Sequence, residues 1–326
     1  MNHESTPASP AELDPQSRDL LLRVAAMASA IPADAMTPQR RRELQREGNA
    51  LYASPVHAPA VERRDLPIPL PQRTLPARLY QPRADADPTP ASDVLLVFFH
   101  GGGWVVGDLE TDDNACALLA HHIGCRVLSV EYRKAPECPF PGPCEDAALA
   151  YRWAASNLKA LGCKRMAVGG DSSGGHLAAY AMYANAEVPT AAALLFYPVT
   201  SVDFARSSYT ERGSGPGLTR DGMRWFWEQF LGTSQAVDDD RALPMQQKWA
   251  RQPPATVVAL AWHDPLYDEG VAYAQLLRDA GAKVELHSAN DMAHGYLRQC
   301  LVVPSARDHV RQVADSLGRL LAAGAG

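Results

Sequence analysis

Val168-Gly169-Gly170-Asp171-Ser172-Ser173-Gly174-Gly175-His176 is the stretch on which the reading of this chain turns. The apolar run Met166-Ala167-Val168 leads into it, and an alanine-rich, helix-favouring segment from Leu177 to Ala186 leads out. The pattern G-x-S-x-G at 170–174 therefore stands where a strand turns sharply into a helix. Such a turn forces its central residue into a strained backbone and brings the flanking chain so close that only glycine fits beside it. It lifts the Ser172 hydroxyl above the sheet edge, at the positive end of a helix dipole. A glycine-rich turn whose serine merely caps the helix carries the same letters. The rest of the chain has to decide between the two.

Working outward, continuous apolar runs at 94–99, 127–130, 166–168, 191–196 and 256–261 alternate with helix-like segments at 109–122, 144–161, 175–186 and 267–280. Unbroken apolar strands alternating with helices imply an α/β fold with a mostly parallel sheet covered on both faces. Lys283 to His287 alternates, as a strand near an edge does, and Ser305 to Leu321 reads as a closing helix. From Val61 to Tyr80 prolines interrupt short alternating stretches, which suits edge strands, and 82–93 reads as a surface loop. Residues 1 to about 17 read as disordered, whereas 18–30 and Pro38 to Tyr52, the latter behind the N-cap candidate Thr37, read as an N-terminal helical cap. Between Val199 and Ala255 no strand is evident, but Trp225-Phe226-Trp227-Glu228-Gln229-Phe230-Leu231 reads as a second cap segment. An insertion there falls at the carboxyl edge of the sheet, where α/β proteins bind ligands. The expected division is a cap segment at 1–55, core at 56–200, a cap insert at 201–245 and core again at 246–326.

Composition narrows the class. The chain is 46% hydrophobic and 21% charged, with net charge -6, which is ordinary for a globular protein. No basic block stands out, and Arg40-Arg41-Arg42 is followed at once by Glu43, so nucleic acid is not an expected partner. The six cysteines show neither a C-x-x-C pair nor a disulfide-framework spacing, a scatter expected of reduced thiols in the cytoplasm. The N-terminus lacks a basic start and apolar run, and no apolar run approaches the ~20 residues that span a bilayer. A cytoplasmic protein without membrane insertion is the expectation.

A serine hydroxyl is a weak nucleophile and needs an adjacent base, itself held by a third group. His294, in Asn290-Asp291-Met292-Ala293-His294-Gly295-Tyr296, follows the 283–287 strand, and Asp264, in Trp262-His263-Asp264-Pro265-Leu266, follows the 256–261 strand. With Ser172 they stand past the C-terminal ends of strands on one sheet edge, in the chain order Ser, Asp, His. His263, next to Asp264, is not excluded by position, while His176 reads as a packing residue and Asp268 and Glu269 as caps of the helix that follows. The remaining need is a place for the oxyanion. His100-Gly101-Gly102-Gly103-Trp104 follows the 94–99 strand, and its glycines let backbone N–H groups approach a reacting carbon. Gly101, Gly102 and Ser173 are the expected donors. A phosphate loop is the competing reading, but no G-K-[ST] follows.

Taken together, His100–Trp104, Glu131-Tyr132-Arg133-Lys134-Ala135-Pro136-Glu137, Gly170–Gly175, Asp264-Pro265-Leu266-Tyr267-Asp268-Glu269-Gly270 and His294-Gly295-Tyr296 resemble the hormone-sensitive-lipase-like branch of the α/β-hydrolases. The resemblance spans roughly residues 60 to 322. It implies carboxylester hydrolysis through an acyl-enzyme, with an N-terminal cap over the site and no metal or organic cofactor. It also implies Ser172 as nucleophile, Asp264 as acid, His294 as base, and Gly101, Gly102 and Ser173 as oxyanion donors. Ser173 stands where the family often has Ala, and Lys134 where Leu is usual. Many members are dimers, so a homodimer is an expected possibility. Trp104, Trp225 and Trp227 are candidates to line a pocket for an ester of short to medium acyl chain. An amidase or lactonase would use the same triad, and a ligand-binding member of the fold is a third reading.

Overall fold

The computed structural model describes residues 11–32, 35–54, 59–83, 89–233 and 239–324. Eight strands form one sheet in the order β1-β2-β4-β3-β5-β6-β7-β8. Its centre is β3 (Val94–Phe99), β4 (Arg126–Val130), β5 (Arg165–Asp171), β6 (Ala192–Phe196) and β7 (Thr256–His263), all parallel. β8 (Val284–Ala293) extends it in parallel, and the hairpin of β1 (Val61–Leu70) and β2 (Arg73–Pro82) adds two antiparallel strands at the other margin.

The continuous apolar runs are explained by burial from both sides. Val94, Leu96 and Phe98 face a core with α3 (Asp113–Ile123) and α9 (Pro304–Ala323), while Leu95, Val97 and Phe99 face α4 (Gly142–Ser156) and α5 (Ser173–Ala184). Period-two alternation thus sends neighbouring residues into different cores, both apolar. α8 (Tyr267–Asp279) covers the far end through Tyr273 and Leu277. Four further helices, α1 (Pro15–Ser29), α2 (Pro38–Gly48), the short α6 (Ser207–Arg212) and α7 (Arg220–Leu231), come from the two segments expected to form a cap. Among the described residues between 199 and 255 there is no strand.

Four expectations are corrected. The N-terminal region is helical from Pro15, because Asp14 caps the N–H groups of Gln16 and Ser17 at 2.9 Å each. Residues 1–10 of that expected disordered stretch, 84–88 of the expected 82–93 loop and 234–238 of the insert lie outside the described residues. The helix expected from 109 begins only at Asp113. Asp108 and Thr111 instead bond to each other, Thr111 N–H to Asp108 Oδ1 at 2.9 Å and Asp108 N–H to Thr111 Oγ1 at 2.8 Å. Such local side-chain bonds compete with a helical turn. The helix expected over 144–161 ends at Ser156, with Asn157 to Gly162 in turns. The last strand, expected over 283–287, runs on to Ala293, so His294 follows it directly.

Candidate active site

β5 ends at Asp171 and α5 begins at Ser173, leaving Ser172 alone to reverse the chain. It does so at φ 54° and ψ -120°, a conformation that L residues seldom adopt. A Cβ at Gly174 would run into the carbonyls of Phe99 and His100, so glycine there lets α5 lie against the end of β3. Ser172 N–H donates to Phe196 O at 2.9 Å and its carbonyl accepts from Val199 N–H at 3.1 Å, which anchors the turn to β6 and the residues after it.

Two neighbouring crossovers complete the group. Asp264, past β7, is fully buried; its Oδ1 accepts Leu266 N–H at 2.9 Å. Its Oδ2 lies 2.7 Å from His294 Nδ1, and His294 Nε2 lies 2.9 Å from Ser172 Oγ. With a carboxylate on one side, the ring proton belongs on Nδ1, leaving Nε2 to accept from the hydroxyl. The imidazole packs on Tyr197, whose ring centre is 4.7 Å away. His263 is separate from this group, because its Nε2–H donates to Ala11 O at 2.9 Å.

The glycine loop after β3 lies beside Ser172, with Gly101 packed against Asp171. Gly101 N–H donates to Asp171 Oδ1 at 2.7 Å and is therefore occupied. The N–H groups of Gly102, Gly103 and Ser173 have no intramolecular acceptor among the described residues. Gly102 and Gly103 adopt φ 114° and 58°, and Ser173 N–H is one of the orphan donors at the start of a helix. Of the three expected donors, Gly101 is thus taken up by Asp171, while Gly102 and Ser173 are not. Burial, with the nearby Asp112, pushes the Asp171 carboxyl well above its ordinary value, favouring its neutral form. His100, stacked on Tyr132 at 4.4 Å and kept neutral by burial, donates Nδ1–H to Gly101 O at 2.8 Å. From the cap, Arg42 Nε donates to Val105 O at 2.7 Å and Gln45 Oε1 accepts Gly107 N–H at 2.7 Å.

The tryptophans fall out differently from expectation. Trp104 is 0% and Trp227 3% exposed, so neither offers a pocket-facing surface. Trp104 stacks on Phe230 at 4.2 Å, packs on Trp227 at 4.7 Å and donates Nε1–H to His176 Nδ1 at 3.1 Å. His176 Nε2–H in turn donates to Ala242 O at 2.9 Å, and burial holds its pKa near about 4, so the ring is neutral. This knot fastens α7 to the glycine loop after β3. Trp225 is only partly buried and lies beneath Arg41. Glu269 does not cap α8 but is fully buried, its Oε1 accepting Thr200 N–H at 2.7 Å and its Oε2 the Tyr209 hydroxyl at 3.2 Å. Asp268 accepts Ser208 N–H at 2.8 Å, again tying the insert rather than the helix end. Sequence reasoning gave no role to Asp171, Arg42 or Gln45. Asp171 lay inside the quoted motif, but the two cap residues had no signal, since their partners are 62 and 63 positions away.

A family model described as the alpha/beta hydrolase fold matches residues 96–298. Carboxylesterase NlhH of Mycobacterium tuberculosis is 38% identical over 261 residues, which cover 76% of this chain and 77% of that protein. The ethyl acetate hydrolase of Pseudomonas putida is 35% identical, covering 88% of this chain and 92% of the relative. Among solved structures, the hyperthermophilic esterase of the archaeon Pyrobaculum calidifontis superposes with a TM-score of 0.84 at 31% identity, covering 95% of this chain and 99% of that one. The chain belongs to the α/β-hydrolase fold family, within the hormone-sensitive-lipase-like branch that its motifs resemble.

Proposed function

We propose that the protein is a serine hydrolase of carboxylic esters with short to medium acyl chains. One observation supports this most: His294 bridges the Ser172 hydroxyl at 2.9 Å and the buried Asp264 carboxylate at 2.7 Å. In this reading Ser172 attacks the ester carbonyl as His294 takes its proton, and Asp264 holds the imidazole and stabilises the imidazolium. The N–H groups of Gly102, Gly103 and Ser173 receive the oxyanion. His294 then protonates the departing alcohol, and water repeats the cycle on the acyl-enzyme. All of these steps use groups of this chain. The segments 1–55 and 201–245 act as the cap over a hydrolase core at 56–200 and 246–326. The names of the relatives, a carboxylesterase and an ethyl acetate hydrolase, favour esters over amides or lactones.

The test is hydrolysis of p-nitrophenyl esters of increasing acyl length by wild type and Ser172→Ala. Rates are expected to peak at short or medium chains and to fall by about 10⁵–10⁶ in the variant. Turnover that survives in Ser172→Ala would remove the serine from the mechanism. An enzyme inert on every ester but active on amides or lactones would shift the substrate class and keep the triad.

A further inference from the structure

The arginines 40–42 of α2 differ in their company. Arg40 pairs with Glu43 at 3.1 Å and Glu47 at 2.7 Å, and Arg42 with Glu137 at 2.6 Å. Arg41 has no carboxylate partner among the described residues. Its Nε is buried without an acceptor, and its guanidinium lies over the Trp225 ring, 4.3 Å from the centroid. Burial draws the Arg41 pKa below the usual guanidinium value.

That side chain forms part of the wall of a cavity of about 190 Å³ between the N-terminal cap and the oxyanion loop. The other walls include Val24, Met27, Met36, Leu44, Val106 and Phe226. Phe226 is the ring on which a Cβ at Gly103 would land, so one ring separates the cavity from that donor's backbone. A half-buried guanidinium held on an aromatic ring, with no carboxylate among the described residues, can take an anionic partner from outside. Ligand pockets pair such walls with a few polar groups that fix orientation. A larger cleft of about 500 Å³ beside the β1–β2 turn also holds arginines, but there Arg73 is paired with Asp146 and Arg152 with Glu187. The cap cavity is smaller than the roughly 300–1,000 Å³ of pockets for drug-sized ligands, a size that suits a short chain.

We propose that this cavity binds a short apolar chain ending in a carboxylate, with Arg41 as the counter-ion. Two sources share that chemistry: the far end of the acyl chain in a dicarboxylate half-ester, and a free alkanoate of the kind ester hydrolysis releases. Binding itself is independent of the ester-hydrolase reading, and only the half-ester arm rests on it.

Hexanoate and hexanol are titrated into wild type and Arg41→Met by calorimetry. Wild type is expected to prefer hexanoate by about tenfold or more, and Arg41→Met, which keeps an apolar stem, to lose the preference. Equal affinities for the two ligands in wild type overturn the proposal, as does an undiminished preference in Arg41→Met. Met27→Trp fills the cavity with Arg41 intact and serves if the first variant does not fold. It is expected to abolish hexanoate binding without lowering the melting temperature, and unchanged binding overturns the proposal. The sources separate by kinetics. A fall of about tenfold in the kcat/KM ratio of monomethyl adipate to methyl hexanoate in Arg41→Met identifies the half-ester. An unchanged ratio, with hexanoate inhibition lost in the variant, identifies the free alkanoate. Failure of wild type to hydrolyse either ester would count against the ester-hydrolase reading while leaving the binding result in force.

Discussion

At residue scale, Asp171 connects the two halves of the proposed chemistry. It precedes Ser172 in the chain, and its Oδ1 holds Gly101 N–H at 2.7 Å, one residue before the free donors of Gly102 and Gly103. Burial favours the neutral carboxyl, so asparagine reproduces both the shape and the acceptor. Asp171→Asn is therefore expected to stay within a few-fold of wild type. Asp171→Ala leaves Gly101 N–H unpaired and lets the loop drift, with kcat falling by about 10–100-fold and KM little changed. Steady-state kinetics with p-nitrophenyl butyrate, beside melting temperatures, would check this. An asparagine variant as damaged as the alanine one would show that charge, not acceptance, is what matters. The candidate group Ser172, Asp264 and His294 was legible because each residue follows a strand, two of them apolar runs and the third an alternating stretch. The choice among glycines was not, because it depends on which N–H a distant carboxyl occupies.

At the scale of elements, Glu269 shows how α8 holds the insert. Buried within the fold, it bonds to Thr200, Ser201 and Tyr209. Those donors favour the carboxylate, but burial outweighs them and raises the pKa from 4.5 to about 8. The folded state therefore prefers the protonated form. Its contribution to stability is full below 4.5 and is lost as pH rises through about 8. Glu269→Gln keeps the geometry without the ionisation. Thermal melts from pH 4 to 9 are expected to show wild type falling behind this variant at the alkaline end and matching it at the acid end. Parallel curves for the two proteins would mean that the Glu269 pKa is not raised by folding. In sequence, an acidic residue in the first turn of a helix reads as a cap, because burial against an insert some 69 positions earlier has no local signature.

At the scale of the whole molecule, the N-terminal helices meet the core through side chains and through a backbone bond, Asp14 N–H to Asp291 O of β8 at 2.8 Å. Leu20 and Leu21 are buried on one side of the junction, and Arg42 and Gln45 bond to the loop after the glycines on the other. Removing residues 1–54 is thus expected to leave the sheet folded, with the circular dichroism of an α/β protein. Val105 O and Gly107 N–H lose their partners in that variant, and kcat is expected to fall by roughly tenfold or more. A truncated chain that is unfolded would make the cap part of the folding unit. The layered architecture was legible from the alternation of runs and helices. The cap's points of attachment were not, since long polar side chains reaching backbone atoms leave no periodic trace.

The hairpin at the sheet margin has a consequence beyond the single molecule. Pro76 of β2 turns its carbonyl towards Glu131 N–H beside β4, so its partner Pro67, and Pro69 two residues on, face away from β2. On that outer margin they present no N–H, and Arg63 and Arg64 add charge nearby. β8 at the opposite margin carries no proline. A margin closed in this way takes up no further strand, so the sheet cannot grow into a ribbon through β1.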